Sequence, residues 1–348
     1  MEQIKNPQIL QALSQVLDPE LGQDLVSLNM IQEVKIENDI VSFTLVLTTP
    51  ACPLRNQLEN DARNAVLAIP GVKKVQIKVD SRVPNSKPKP DMLDLPFKHI
   101  IAIASGKGGV GKSTVAVNIA IALQQTGAKV GLLDADIYGP NIPIMMGIKD
   151  LPGQKNQKLM PALSYGVKVM STGFLVKKEQ PLIWRGRMLH SAIRQFLTDV
   201  EWGDLDYFII DLPPGTGDVQ LSLTQTILLS GGVIVTMPQQ VSLDDAARAL
   251  IMFRKLGTPI LGVIENMGFL RLPDGTKMNI FGSGGGEKLA QDNCVPFFGT
   301  IELNPKIREG GDQGKPIIIT DPTSQPALEF KRIAGELAAK LSVTTLIG

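Results

Sequence analysis

The chain has 348 residues, of which 43% are hydrophobic and 20% charged, with a formal net charge of +1. That length and apolar content suit one large core and a smaller second one. The near-zero charge argues against a general electrostatic grip on nucleic acid or on an anionic membrane.

Two cysteines, Cys52 and Cys294, cannot build a disulfide framework. Met1 to Gln11 lacks the basic start and apolar run of a secretory leader. No apolar stretch approaches the roughly 20 residues of a membrane-spanning helix. A soluble, cytoplasmic protein is expected, its cysteines reduced unless they serve a ligand or redox role.

In chain order, Ile4 to Leu17 carries Ile9, Leu10, Leu13, Val16 and Leu17 on one helical face, and Asp18-Pro19 stops it. Ile31 to Glu37 alternates as a strand, Asn38-Asp39 turns, and Ile40 to Thr48 returns. Pro53 opens a helix to about Ile69, with Leu54, Leu58, Ala62 and Ala65 spaced for burial. Pro70-Gly71 ends it, and Val72 to Val79 makes a short strand. Residues 1–82 thus form a small α+β domain. Val83 to Pro96 is rich in proline, lysine and aspartate and reads as a semi-extended linker over 83–96.

From Phe97 the pattern alternates strand and helix, which assigns 97–348 to one α/β domain. Ile100–Ala104, Val130–Leu133, Tyr207–Ile210, Val233–Thr236 and Ile260–Ile264 are short apolar runs suited to strands buried on both faces. Helical segments such as Ser113–Gln125 and Leu243–Leu256 separate them. The fold class is α/β: a doubly wound, mostly parallel sheet preceded by the small α+β domain. Pro326 to Leu341 places Leu328, Ile333, Leu337 and Leu341 on one side, as a helix docked on the sheet would.

The segment Ser105 to Thr114, SGKGGVGKST, follows an apolar strand and opens an apolar-faced helix. Gly106, four residues, then Gly111-Lys112-Ser113 is the phosphate-loop spacing. Glycines 106, 108, 109 and 111 let backbone N–H groups, that of Val110 included, turn toward phosphate oxygens. The helix start at Ser113-Thr114 adds its partial positive charge. Lys112 would bridge β- and γ-phosphates, and the Ser113 hydroxyl would ligate Mg²⁺. Gly106, Gly108 and Gly111 also satisfy a dinucleotide fingerprint, with Asp134 at about the distance of a ribose contact. That reading gives no reason for Lys112-Ser113 or for the aspartate motifs that follow.

LLDADIYGPN, Leu132 to Asn141, ends a strand at Asp134 and sets Asp136 just beyond, where ligands of such sheets bind. FIIDLPPGTGD, Phe208 to Asp218, delivers Asp211 as the acid that holds Mg²⁺ through water, and its glycines give a segment able to sense a γ-phosphate. Asp218 equally fits an N-cap for a helix near Val219. Glu265-Asn266-Met267 follows another strand, and a turn asparagine is one reading of Asn266.

The lysine before the loop glycines, Lys107, gives the pattern K-G-G-x-G-K-[ST]. It resembles the deviant Walker A class of the MinD, ParA, nitrogenase iron protein and Mrp families. The resemblance implies an ATP-hydrolysing homodimer in which Lys107 contacts the partner's nucleotide, Asp136 positions water and Asn266 contacts adenine.

GKGGVGKST, DADIYGPN, WRGRM (Trp184 to Met188), DLPPGTGD, ENM and FGSGGGE (Phe281 to Glu287) occur in that order. Together they resemble the Mrp/ApbC family of iron–sulfur cluster carrier ATPases over about Phe97 to Pro316. Asp18-Pro19-Glu20 and Thr49-Pro50-Ala51-Cys52-Pro53 resemble the metal–sulfur assembly domain that precedes this ATPase in bacterial members. The resemblance implies ATP, Mg²⁺ and a [4Fe–4S] cluster, with apoprotein clients or assembly factors as partners and no membrane or nucleic acid.

One feature departs from that pattern. Such carriers have a C-x-x-C pair between ENM and FGxGGGE, and here Gly268 to Ile280 contains no cysteine. Asp274-Gly275 reads instead as a tight hairpin turn. Cys52, before Pro53 at a helix start, is the candidate cluster ligand, since that position favours thiolate. Cys294 lies in an apolar context and reads as a buried structural thiol. His99 and His190 are too scattered for a metal site. Without the usual cluster ligands, two readings stay open: a cluster-transferring ATPase, or a nucleotide-gated scaffold that carries no cluster. A MinD/ParA-like positioning ATPase fits FGSGGGE less well.

Overall fold

The structure, a computed structural model, describes residues 5–83, 92–137, 139–150, 153–155, 158–174, 186–217, 220, 223–224 and 226–347, with the backbone alone for 186–190 and 346–347. Most of the expected linker, Trp184-Arg185, the Arg187, Met188 and His190 side chains, Asp218 and Val219 fall outside that description. The chain divides into two compact units, Met1–Pro84 with Ala338–Gly348, and Asn85–Leu337. The end of the chain therefore belongs with the first unit, and not with the α/β unit as 97–348 implied.

In the first unit, α1 (Asn6–Leu13) is shorter than the expected 4–17. The Asp18 carboxylate accepts the N–H groups of Glu20 and Leu21 at 2.9 and 3.1 Å, so this stretch folds as a turn. Ile9 and Leu13 are buried, but Leu17 is 58% exposed. Strands β1 (Ile31–Glu37) and β2 (Ile40–Leu47) pair antiparallel across Asn38-Asp39. Helix α2 (Arg55–Leu67) buries Leu58, Ala62 and Val66, and β3 (Lys74–Ser81) returns parallel to β2. β2 is the middle strand, and its Val41, Phe43, Leu45 and Leu47 point into one core with both helices. Ser342, on the last helix, donates to the Thr48 carbonyl at 3.3 Å.

The second unit runs β4 (Phe97–Ala104), α3 (Lys112–Gln125), β5 (Val130–Asp134), α4 (Ile142–Met145), β6 (Ala162–Ser164), β7 (Val167–Ser171), α5 (Gly186–Thr198), β8 (Leu205–Asp211), β9 (Gly231–Thr236), α6 (Gln240–Lys255) and β10 (Ile260–Glu265). It continues through β11 (Leu270–Arg271), β12 (Lys277–Met278), α7 (Gly285–Asp292), β13 (Phe297–Thr300), α8 (Pro305–Asp312), α9 (Ile317–Thr320) and, as far as Leu337, α10 (Gln325–Ile347). The eight-stranded sheet has the order β13-β10-β9-β4-β8-β5-β7-β6. All neighbours pair parallel except the edge strand β6.

The apolar runs seen in the sequence are the central strands, and β8 and β9 are almost wholly buried. The chain passes from β8 to β9 on opposite sides of β4. The sheet's switch point therefore lies at the carboxyl end of β4, where ligands of open α/β sheets bind. α3, which starts there, is buried almost continuously from Val115 to Leu123. Along α10 the buried face is Phe330, Ile333, Leu337 and Leu341, while Leu328, expected on that face, is 45% exposed.

Candidate nucleotide site

β4 ends at Ala104 and the chain turns through Ser105 to Gly111 into α3. Gly111 caps the helix at φ +81°, a backbone that favours glycine. Any Cβ there would lie 2.2 Å from Asn266 Nδ2. A Cβ at Gly106 would lie 2.1 Å from the Asp245 backbone carbon, so the loop's entry requires glycine for close packing against α6. Lys107, Gly108, Gly109 and Val110 line a cleft of about 530 Å³, together with Lys112, Ser113, Thr114, Asp136 and Asn266.

The first turn of α3 and the ends of β5, β8 and β10 deliver the polar side chains. Lys112, on the first turn of α3, is buried, and its Nζ donates to Asp211 Oδ1 at 2.7 Å. Ser113 Oγ donates to the other carboxylate oxygen at 2.5 Å. Asp211 ends β8 with no exposed surface. Burial raises its carboxyl above the ordinary value, opposed by Lys112 and Ser113. Asp136 Oδ2 stands 3.9 Å from the same ammonium. A hard carboxylate–hydroxyl pair beside a phosphate loop suits Mg²⁺ chemically.

Asp134, at the end of β5, has a different task. Its carboxylate accepts the N–H of Asp136, the Ser171 hydroxyl and the N–H of Ile142, at 3.1, 2.9 and 3.3 Å. It fixes the turn that carries Asp136. Burial and the nearby Asp211 push its carboxyl up to about 7. This geometry makes Asp134 a turn-bracing aspartate.

Asn266 is buried, and its Nδ2 donates to the Val110 carbonyl at 2.8 Å. It braces the phosphate loop from the end of β10. The preceding Glu265, also buried, accepts the Gly286 N–H at 2.7 Å. The glycine string 284–286 thereby ties the start of α7 to β10, a role the sequence reading did not assign. Gly215 N–H donates to the Ser105 carbonyl at 2.9 Å, and Gln220 braces the same turn through the carbonyls of Pro213 and Gly215. Lys107 Nζ reaches Gln239 Oε1 at 3.3 Å.

Beyond the phosphate loop the cleft is walled by Met145, Met267, Leu303, Ile307 and Arg308. Sequence reasoning missed this wall. Its one legible signal was Asn304-Pro305, an N-cap and first-turn proline, where Asn304 accepts the Lys306 N–H at 2.9 Å.

The hairpin expected at Asp274-Gly275 is present, with β11 and β12 paired antiparallel across Leu272–Thr276. It is tied to the cleft wall, since Leu303 N–H donates to the Phe269 carbonyl at 2.7 Å and Arg271 Nε to Glu302 at 3.1 Å.

Both cysteine expectations change. Cys294 is exposed. It follows α7 at φ +52°, a left-handed residue at the helix end. Cys52 is half-buried, and burial pushes its thiol up to about 11, with Glu20 and Asp18 adding to the rise. The helix begins at Arg55 and does not offset this. Among the described residues no group of three or more His, Cys, Asp or Glu side chains is placed to hold a metal ion. No helix among them is long and apolar enough to cross a membrane.

Comparison with known proteins agrees with this architecture. Residues 96–338 match the family model described as NUBPL iron-transfer P-loop NTPase. Residues 6–79 match that of the iron-sulfur cluster assembly protein. A relative named iron-sulfur cluster carrier protein, from Synechocystis sp., is 52% identical over 97% of this chain and 98% of its own length. Among solved structures, a nucleotide-binding protein in complex with ADP from Archaeoglobus fulgidus is 37% identical, with a TM-score of 0.57. That match covers 63% of this chain and 88% of the other. The cell division ATPase MinD of Pyrococcus furiosus is 28% identical, with a TM-score of 0.52 over 68% of this chain and 97% of its own. With its phosphate loop at the sheet's switch point and the assembly unit preceding it, the chain belongs to the family of iron-transfer P-loop NTPases.

Proposed function

We propose that the protein binds and hydrolyses ATP with Mg²⁺, and that it binds iron–sulfur clusters or transfers them to apoproteins in the cytoplasm. The observation that carries the ATPase half is the convergence of Lys112, Ser113 and Asp211, with Asp136 3.9 Å from the same ammonium. Bound Mg²⁺ would neutralise phosphate charge and orient the β- and γ-oxygens. Lys112 and the loop N–H groups would hold the phosphates, Ser113 and Asp211 would hold the ion, and Asp136 would hold the attacking water by its carboxylate. Asn266 keeps the loop in shape through Val110, which leaves its other amide atoms for the base. Lys107 acts across a homodimer on the partner's nucleotide. The cluster-transfer half rests on the relatives' names and on the two family models.

A second reading is a nucleotide-gated scaffold without a cluster of its own. It is favoured by the hairpin that stands where a cysteine pair would be, and by the half-buried, high-pKa Cys52. Anaerobic reconstitution, with iron and sulfide counted per chain and ATP turnover measured on the same sample, separates the two. ATP turnover with stoichiometric iron and sulfide supports the carrier. Turnover without iron supports the scaffold, and no turnover by either preparation ends the ATPase proposal.

A further inference from the structure

Both main-chain groups of Asp136 are tied down, and both ties lead to the end of β7. The Asp136 carbonyl accepts the Thr172 hydroxyl at 3.3 Å. Its N–H donates to Asp134 Oδ1 at 3.1 Å, and the other oxygen of that carboxylate accepts the Ser171 hydroxyl at 2.9 Å. Ser171 ends β7 in register with Asp134, and its own oxygen accepts the Gly173 N–H at 2.9 Å. A Cβ at Gly173 would lie 3.1 Å from Pro140 Cβ, so the same stretch packs closely on the far end of the turn. Ser171 and Thr172 have no exposed surface, and neither lines the nucleotide cleft. The sequence reading assigned no role to this segment.

The restraint matters because of where Asp136 stands. Its Oδ2 is 3.9 Å from the Lys112 ammonium, beyond the ~2.7–2.9 Å of a charge-assisted hydrogen bond. The Lys112 and Asp136 side chains are 6% and 13% exposed, so water screens their attraction weakly. A turn that relaxed by about 1 Å would set Asp136 on Lys112. The carboxylate oxygen would then be taken up by the ammonium, and the ammonium drawn off the phosphates. We propose that Ser171 and Thr172 are positioning residues for ATP hydrolysis: by holding the turn from β7, they keep the Asp136 carboxylate short of Lys112 and in place for the attacking water. The proposal rests on the reading of Asp136 given above and deepens it. Ser171 acts through the Asp134 carboxylate and Thr172 through the Asp136 main chain. Losing either hydroxyl should therefore slow the chemical step and spare nucleotide binding.

The test is steady-state ATP turnover by the full chain with MgCl₂, alongside ADP affinity by calorimetry in the same buffer. Ser171→Ala and Thr172→Val should each lower kcat by about 10- to 100-fold, the scale of a reacting group misplaced by about 1 Å. ADP affinity should stay within about twofold of the parent in both. Thr172→Ser keeps the hydroxyl and should return most of the turnover that Thr172→Val loses. Thr172→Val keeps the buried volume, so it carries the test by itself where Ser171→Ala does not fold. Parent-like kcat in the folded variants overturns the proposal. So does a loss of ADP affinity in proportion to kcat, which would mean a disordered site and not a displaced Asp136. A Thr172→Ser protein as slow as Thr172→Val overturns the role of the hydroxyl. Asp136→Ala, measured beside them, separates the two levels: parent-like turnover in that variant overturns the reading of Asp136 itself, and the proposal with it.

Discussion

Gly286→Ala tests whether the glycine string before α7 serves the nucleotide site. Gly286 N–H donates to Glu265 Oε2 at 2.7 Å, and Glu265 is 1% exposed. An added Cβ would lie 2.8 Å from Glu265 Cβ and 3.2 Å from Oε2. Carbon atoms rest at about 3.5–4.0 Å, so α7 or β10 must yield by about 1 Å, which stretches the hydrogen bond beyond useful length. Overpacking costs about 1–3 kcal/mol, and a hydrogen bond to a charged group contributes about 1.5–3 kcal/mol. With partial relaxation the loss is roughly 2–5 kcal/mol, or a fall of about 5–15 °C in melting temperature for a unit of this size. Because Asn266 follows Glu265 and holds the Val110 carbonyl, ADP affinity should fall as well.

Differential scanning calorimetry and ADP titration measure the two effects. Gly153→Ala is the control, since no atom of the described residues lies within 4 Å of its added Cβ. A Gly286→Ala protein melting within about 2 °C of the parent would refute the steric reasoning. Normal ADP affinity despite a large fall in melting temperature would refute the link through Asn266.

Lys107→Ala removes an exposed contact to Gln239 and should change stability by no more than about 0.5 kcal/mol. It should keep ADP affinity and lose ATP turnover, and undiminished turnover would count against the trans-phosphate role. Brief alkylation with iodoacetamide at pH 8, read by peptide mass spectrometry, should label exposed Cys294 before Cys52, whose thiol is pushed up to about 11; the reverse order would contradict the burial of Cys52.

Burial lowers the His99 imidazole from 6.5 to about 4, and neither ring nitrogen has a hydrogen-bond partner among the described residues. The unfolded chain therefore binds the extra proton first as pH falls. Stability should drop by roughly 3 kcal/mol between pH 6.5 and 4 on this account. His99→Phe, compared with the parent by urea unfolding across that range, should flatten this part of the acid limb. Parallel acid limbs would exclude the effect.

The strands and the phosphate loop were legible because each is dictated locally. A parallel strand covered on both faces must be a short apolar run, as Phe208 to Ile210 is. A loop that turns N–H groups on phosphate needs glycine where Gly111 sits at φ +81°. The far wall of the cleft was not legible. Met145, Met267 and the stretch with Leu303 and Arg308 come from three separate segments, and no spacing in the sequence joins them. The first helix ends at Leu13 although Val16 and Leu17 continue its apolar period. The Asp18 carboxylate instead accepts two backbone N–H groups and folds the chain as a turn.

The cysteines show why a favourable local position does not fix a thiol's chemistry. A helix start can stabilise thiolate only if its N–H groups reach the sulfur and the surroundings stay polar. Here the helix begins three residues after Cys52, and the Leu54 N–H that favours the thiolate only partly offsets the burial. Asp18 and Glu20, more than thirty positions earlier in the chain, bring negative charge to the same thiol, which is itself half-buried. Each of these disfavours the anion, and neither is visible in the tripeptide around Cys52. For Cys294 the error has the opposite sign. Apolar neighbours suggested burial, but the left-handed turn at φ +52° leaves the side chain exposed while Val295 and Phe297 beside it pack on the core. A thiolate at Cys52 therefore requires a bound cation, or movement of the acidic turn 18–20, to offset that burial and charge.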